Sequence, residues 1–183
     1  QLEEINKLLS KTSGEANWYN YRTFTVLRKP LDRVRSAFEH VKRSEHAEDQ
    51  NGILRNQYCQ EFNGQFNEFL LSPKLFEILT SKHAMLLRPM SWMFFEGDAE
   101  KPEEAICHAP DIVLDFDNLE IDCNLMTKKL DLNVDRFKSR KTIYETNILS
   151  AEAYKIFQSY WKIDFQIYNF FMERFHITKF EGN

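Results

Sequence analysis

Two side chains, Arg28 and Ser36, have the types and the setting to bind an anion. A guanidinium presents a planar fork of donors that matches the oxygens of a phosphate, and a hydroxyl can add a further bond. Both residues flank the start of an expected helix, where the first backbone N–H groups lack partners and attract negative charge. The chemistry these residues suit is phosphate binding.

The elements that must position the pair are legible around it. The run Thr23-Phe-Thr-Val-Leu27 is β-branched and apolar, and is expected to form a buried strand. Pro30 ends that strand and presets the first turn of a helix. Arg28 then falls at the carboxyl end of the strand, where open α/β sheets bind ligands. At about 100° per residue, Leu31, Val34, Ala37, Phe38 and Val41 share one helix face. Ser36, a little over one turn into the helix, falls on the opposite face and is expected to be open to a ligand.

A strand, the sequence Leu27-Arg28-Lys-Pro30-Leu-Asp-Arg33-Val-Arg-Ser36, then an amphipathic helix resembles the 3′-phosphate-binding segment of one enzyme family. These are the sulfotransferases that use 3′-phosphoadenosine 5′-phosphosulfate, and the likeness is to the heparan sulfate 2-O- and 6-O-sulfotransferases and their bacterial relatives. The resemblance implies that Arg28 and Ser36 grip the 3′-phosphate, and that Arg33, the family's second arginine, is structural support. It extends to Arg136-Phe-Lys138-Ser139-Arg140-Lys141-Thr142, which holds four cations in seven residues of an acidic chain. That run is similar to the loop that closes over the nucleotide in 2-O-sulfotransferases. It makes Ser139, Arg140, Lys141 and Thr142 candidate cofactor-binding residues, with Arg140 and Lys141 on phosphate. Near the end of the chain, Phe157, Tyr160, Trp161, Asp164, Tyr168, Phe171 and Phe175 fall on one helical face. The Asp164-x-x-x-Tyr168 ending looks like the closing helix of many sulfotransferases, where it is a scaffold. A carboxylate inside an apolar stripe needs an arginine or backbone donors, so Asp164 is expected to be structural rather than a catalytic acid.

Sulfuryl transfer sets three demands: a loop that holds the 5′-phosphosulfate, positive charge for the leaving phosphate, and a base for the acceptor hydroxyl. Lys11-Thr12-Ser13-Gly14 superficially resembles the donor loop, but no strand precedes it and it lies too close to Arg28, so it is read as a decoy. The candidates for the base are Glu15, the one carboxylate between Gly14 and Arg28, and His40, in a stretch that resembles its 6-O-sulfotransferase counterpart. His83, His108 and His176 look incidental. Cys59, Cys107 and Cys123 are widely spaced, and nothing in their pattern suggests a metal.

The chain has 183 residues, 43% of them apolar and 14% aromatic, enough for one domain with a real core. Its net charge of −4 argues against nucleic acid as a partner. No run approaches the roughly 20 apolar residues of a membrane span. The polar start Gln1-Leu2-Glu3-Glu4 shows no signal peptide, and a first residue other than Met leaves room for upstream sequence. Further elements expected are a helix over residues 2–11, a loop over 12–21 and a polar connection over 44–52. A helix capped by Ser72 with Pro73 at its first position should follow, then a turn-rich linker over 97–102. A second strand is expected over 111–116, then a helix opened by a capping box at Asp117 and Glu120 and carrying the stripe Leu119, Cys123, Met126 and Leu130. Ser150 should cap a last helix reaching about Phe175.

The expected fold is α/β, a short parallel sheet flanked by helices. By resemblance it is the P-loop-like sulfotransferase fold lacking its first β-α unit, so that residues 21–175 cover the carboxyl-terminal two-thirds of such a domain. The expected function is transfer of a sulfuryl group from 3′-phosphoadenosine 5′-phosphosulfate to a hydroxyl, that of a carbohydrate acceptor by the same resemblance. The resemblance implies the Golgi lumen for a eukaryotic member shorn of its anchor, and the cytoplasm for a bacterial one. A noncatalytic relative that binds a nucleotide or partner without turnover is the alternative. A P-loop kinase is disfavoured because Gly-x-x-x-x-Gly-Lys-Ser/Thr is absent.

Overall fold

In the chain's computed structural model, the described residues are 22–46, 48–90, 110–132 and 148–181. They form a mostly helical α/β arrangement around a two-stranded parallel sheet. Strand β1 (Phe24–Leu27) leads into α1 (Pro30–Lys42), and four short helices follow: α2 (Gln50–Gln57), α3 (Cys59–Asn63), α4 (Phe66–Leu71) and α5 (Leu75–Thr80). Strand β2 (Ile112–Asp115) precedes a 3-10 turn (Phe116–Asn118) and α6 (Leu119–Lys129). The long α7 (Ala151–Phe175) and a 3-10 turn (Ile177–Lys179) complete the described elements. The expected helix over 2–11, the loop over 12–21, the linker over 97–102 and the basic run 136–142 lie outside the described residues.

The sheet pairs Phe24 with Ile112, Thr25 with Val113, Val26 with Leu114 and Leu27 with Asp115. β2 is buried along its whole length because both of its faces are covered. Val113 packs with Leu27, Met90, Ile167 and Phe171 on the α7 side. Ile112 and Leu114 point the other way, into Cys123, Met126 and Ile177. Alternation along a strand sends neighbours to opposite faces, so a continuous apolar run is what a doubly covered strand requires. Each such buried side chain contributes about 1.5–3 kcal/mol relative to exposure.

β1 corrects the expectation of a buried strand. Only Leu27 is buried; Phe24 is 59% and Val26 39% exposed. Among the described residues β1 has a strand on one side alone, and burial of a strand depends on its neighbours rather than on its own composition.

α1 starts at Pro30 and buries Val34, Ala37, Phe38 and Val41, with Leu31 partly covered. Phe38 sits among Phe62, Phe66 and Phe69, with ring centroids 5.0–5.7 Å away. The first half of α7 closes this cluster with Ala153, Phe157 and Trp161. Phe157 and Trp161 stack at 4.9 Å, and the Trp161 indole N–H donates to the carbonyl of Leu87 at 3.3 Å. α7 departs from helical geometry at Trp161 (φ −112°, ψ 16°). Its start is as expected: Ser150 Oγ accepts from the N–H of Ala153 at 3.1 Å.

Three boundaries differ from expectation. Ser72 ends α4, and α5 begins at Leu75, so Pro73 lies between helices rather than inside one. The polar connection stops at Asp49, whose carboxylate accepts from the N–H of Gly52 at 2.6 Å and opens α2. Asp117 does not head a capping box. Asp115 takes that place, accepting from the N–H of Asp117 at 3.0 Å and from the Asn118 amide at 2.9 Å, and a 3-10 turn intervenes before α6.

Candidate functional site at the carboxyl end of the sheet

The parallel pairing ends at Leu27 and Asp115, and the residues that follow each strand meet through their side chains. The Arg28 guanidinium lies over the Phe116 ring, 4.5 Å from its centroid, and Lys29 Nζ is 2.9 Å from Asp117 Oδ2. A cation over an aromatic face is held by the ring's quadrupole. Two cations thus share the edge at which parallel sheets receive ligands.

The electrostatics are local. A hydrogen bond from Lys29 to Asp117, then that carboxylate's charge, raises the lysine above its ordinary pKa. Tyr168, from the second half of α7, is also at this edge. Burial and the charge of Asp115 raise its phenol above the usual value of 10.0. Asp115 is itself buried at the end of β2.

Ser36 is the seventh residue of α1, nearly two turns in, and about 9 Å along the axis from Pro30. That is farther than the sequence reading placed it. It is half-buried rather than open on the solvent face. On the same helix Arg33 lies between Lys29 and Ser36 and turns inward. Its guanidinium donates to the carbonyls of Leu86 at 3.0 Å and Arg88 at 2.8 Å, and to Asp164 Oδ2 at 3.0 Å. Asp164 is fully buried and accepts the Met90 N–H at 2.9 Å. Arg33 and Asp164 are therefore joined to each other and to the segment 86–90, as structural groups.

His40 is exposed in the last turn of α1, about 15 Å along the axis from Pro30. It is not part of the cluster at the strand ends. Glu15, Ser139, Arg140, Lys141 and Thr142 lie outside the described residues. Among the described residues, no group of three or more His, Cys, Asp or Glu is placed to hold a metal ion, and no helix is long and apolar enough to cross a membrane. One open cavity of about 380 Å³ is lined by Tyr154, Gln158, Lys162, Phe165 and Gln166 of α7. None of these is at the strand ends.

Lys29, Asp115, Phe116, Asp117 and Tyr168 were not read from the sequence as site residues. The signal was there in part: both strands were legible, and placing them side by side in parallel brings their carboxyl ends together. Compared with known proteins, the chain matches no family model, no curated protein and no solved structure.

Proposed function

We propose that this chain binds 3′-phosphoadenosine 5′-phosphosulfate and transfers its sulfuryl group to a hydroxyl, with a carbohydrate as the acceptor class. By this reading the fold is the sulfotransferase kind of α/β sheet, lacking its first β-α unit. The observation that carries it is the position of Arg28. It ends a parallel strand, precedes a proline-started helix bearing Ser36, and lies at the sheet edge with a second cation, Lys29, beside it. Arg28 and Ser36 hold the 3′-phosphate, and Arg140, Lys141, Ser139 and Thr142 close over the nucleotide.

Calorimetric titration with adenosine 3′,5′-bisphosphate tests the site. Arg28→Ala is expected to weaken binding by about 10- to 100-fold, as loss of a charge-assisted hydrogen bond requires. An unchanged affinity would refute the assignment.

A second reading is a binding module without turnover. It is favoured by the carboxylates at the strand ends, Asp115 and Asp117, both engaged by neighbours, and by the distance of His40 from them. Assay with 35S-labelled donor and a mixture of oligosaccharides separates the two: bisphosphate binding with no label transferred supports the module.

A further inference from the structure

Lys29 and Asp117 form an ion pair beside the residue assigned to the phosphate. The Lys29 side chain is exposed, at 57%, and that of Asp117 is partly exposed, at 38%. A pair so exposed is screened by water and salt and holds weakly. The backbones on either side are fixed. The carbonyl of Lys29 accepts the N–H of Arg33 at 2.9 Å, and the N–H of Asp117 is bound to Asp115 Oδ1 at 3.0 Å. Only side chains need to move for the pair to open.

We propose that the Lys29–Asp117 pair is a self-occupied form of the phosphate site, in which the Asp117 carboxylate stands where a ligand's anion would, and nucleotide binding transfers Lys29 from Asp117 to the phosphate. This rests on the nucleotide reading above and names its regulation. A ribose phosphate carries about two negative charges near neutral pH against one for a carboxylate, and offers three acceptor oxygens. It therefore outcompetes Asp117 for an exposed ammonium that Arg28 already accompanies. Asp117 also repels the incoming anion until its lysine swings across. Lys29 is thus a third phosphate-binding group, and Asp117 an internal competitor that lowers affinity and favours doubly charged phosphates over weaker anions.

The experiment is calorimetric titration of adenosine 3′,5′-bisphosphate and adenosine 5′-monophosphate into wild type, Lys29→Met, Asp117→Asn, the double variant and Arg28→Ala, at one ionic strength. Thermal melts of each variant establish that it is folded. Lys29→Met is expected to weaken the bisphosphate by about tenfold, and Asp117→Asn to tighten it several-fold. In the Lys29→Met background, Asp117→Asn is expected to give a smaller gain, because only the repulsion is then relieved. The monophosphate should respond little to any of these changes. Asp117→Asn that leaves the bisphosphate unchanged or weaker overturns the gate, as does Lys29→Met without effect, and in both cases loss on Arg28→Ala leaves the nucleotide reading standing. Wild type that binds no bisphosphate overturns both.

Discussion

Arg33 Nη2 and Asp164 Oδ2 meet at 3.0 Å, and through them α1, which carries Ser36, is tied to the middle of α7. The arginine adds two backbone carbonyls and the carboxylate adds a backbone N–H, so the pair anchors the segment around residues 86–90 as well. Burial lowers the Arg33 pKa and the neighbouring Asp164 charge opposes that shift. The pair holds α1 against α7.

Arg33→Leu is expected to destabilise the protein by about 3–5 kcal/mol, because it takes the guanidinium from a carboxylate that is fully buried. Urea unfolding followed by Trp fluorescence measures it. A change below about 1 kcal/mol would show that the buried carboxylate finds compensation elsewhere.

Tyr168 gives the alkaline side of the stability profile. Its phenol is raised from 10.0 in the folded chain by burial and then by Asp115, so the folded state favours the protonated ring. The stability this contributes is complete below the unfolded value of 10.0 and is lost as pH rises through the higher folded value. Thermal melts of Tyr168→Phe against wild type between pH 8 and 11 are expected to show a shallower alkaline decline in the variant. Equal slopes would remove Tyr168 from the account.

What the sequence made legible was local. The buried stripe of α1, the start of α1 at Pro30 and the Ser150 cap follow from side-chain period and cap chemistry within a turn or two. β2 was legible for the same reason, as a short apolar run between turns. Helices α2 to α4 were not, because elements of five to eight residues are too short to display a period, and α3 and α4 cohere through Phe62, Phe66 and Phe69 meeting Phe38, whereas α5 was expected with its start at Pro73 rather than Leu75. At the candidate site Arg28 could be found by its place after a strand. Its companions could not, since Lys29 meets Asp117 and Arg28 meets Phe116 only through strand pairing across a long connection. The exposure of Phe24 and Val26 is of the same kind, a property of the neighbouring strand order.

Ser36 should discriminate between nucleotides rather than set overall affinity. A hydroxyl bond to the 3′-phosphate contributes about 0.5–1.5 kcal/mol, so Ser36→Ala is expected to weaken adenosine 3′,5′-bisphosphate by about 2- to 13-fold. Adenosine 5′-monophosphate, which lacks that phosphate, should be unaffected. Equal losses for both nucleotides would place Ser36 outside the 3′-phosphate contact.

His176 was read as incidental, yet it closes the chain's last described segment onto the sheet. Its Nε2 is 2.8 Å from Asp122 Oδ2, and its Nδ1 is 2.9 Å from Thr178 Oγ1. The same Asp122 oxygen accepts the N–H of Asp115 at 2.7 Å, so one buried carboxylate joins α6, the end of β2 and the segment after α7. A parallel bridge between Val113 and His176 and the burial of Ile177 beneath α6 complete the attachment, and Lys129 Nζ donates to the carbonyl of Phe180. His176→Ala removes one partner of a buried carboxylate and is expected to cost about 1–3 kcal/mol. Because the segment is terminal to α7, the loss should be local first: amide exchange over residues 176–181 should accelerate before exchange in β1 or α1. Asp122→Asn keeps an acceptor for the Asp115 N–H and should therefore cost less than His176→Ala. If exchange instead rises uniformly across the chain, the segment belongs to the global unfolding unit and His176 is not a separable clasp.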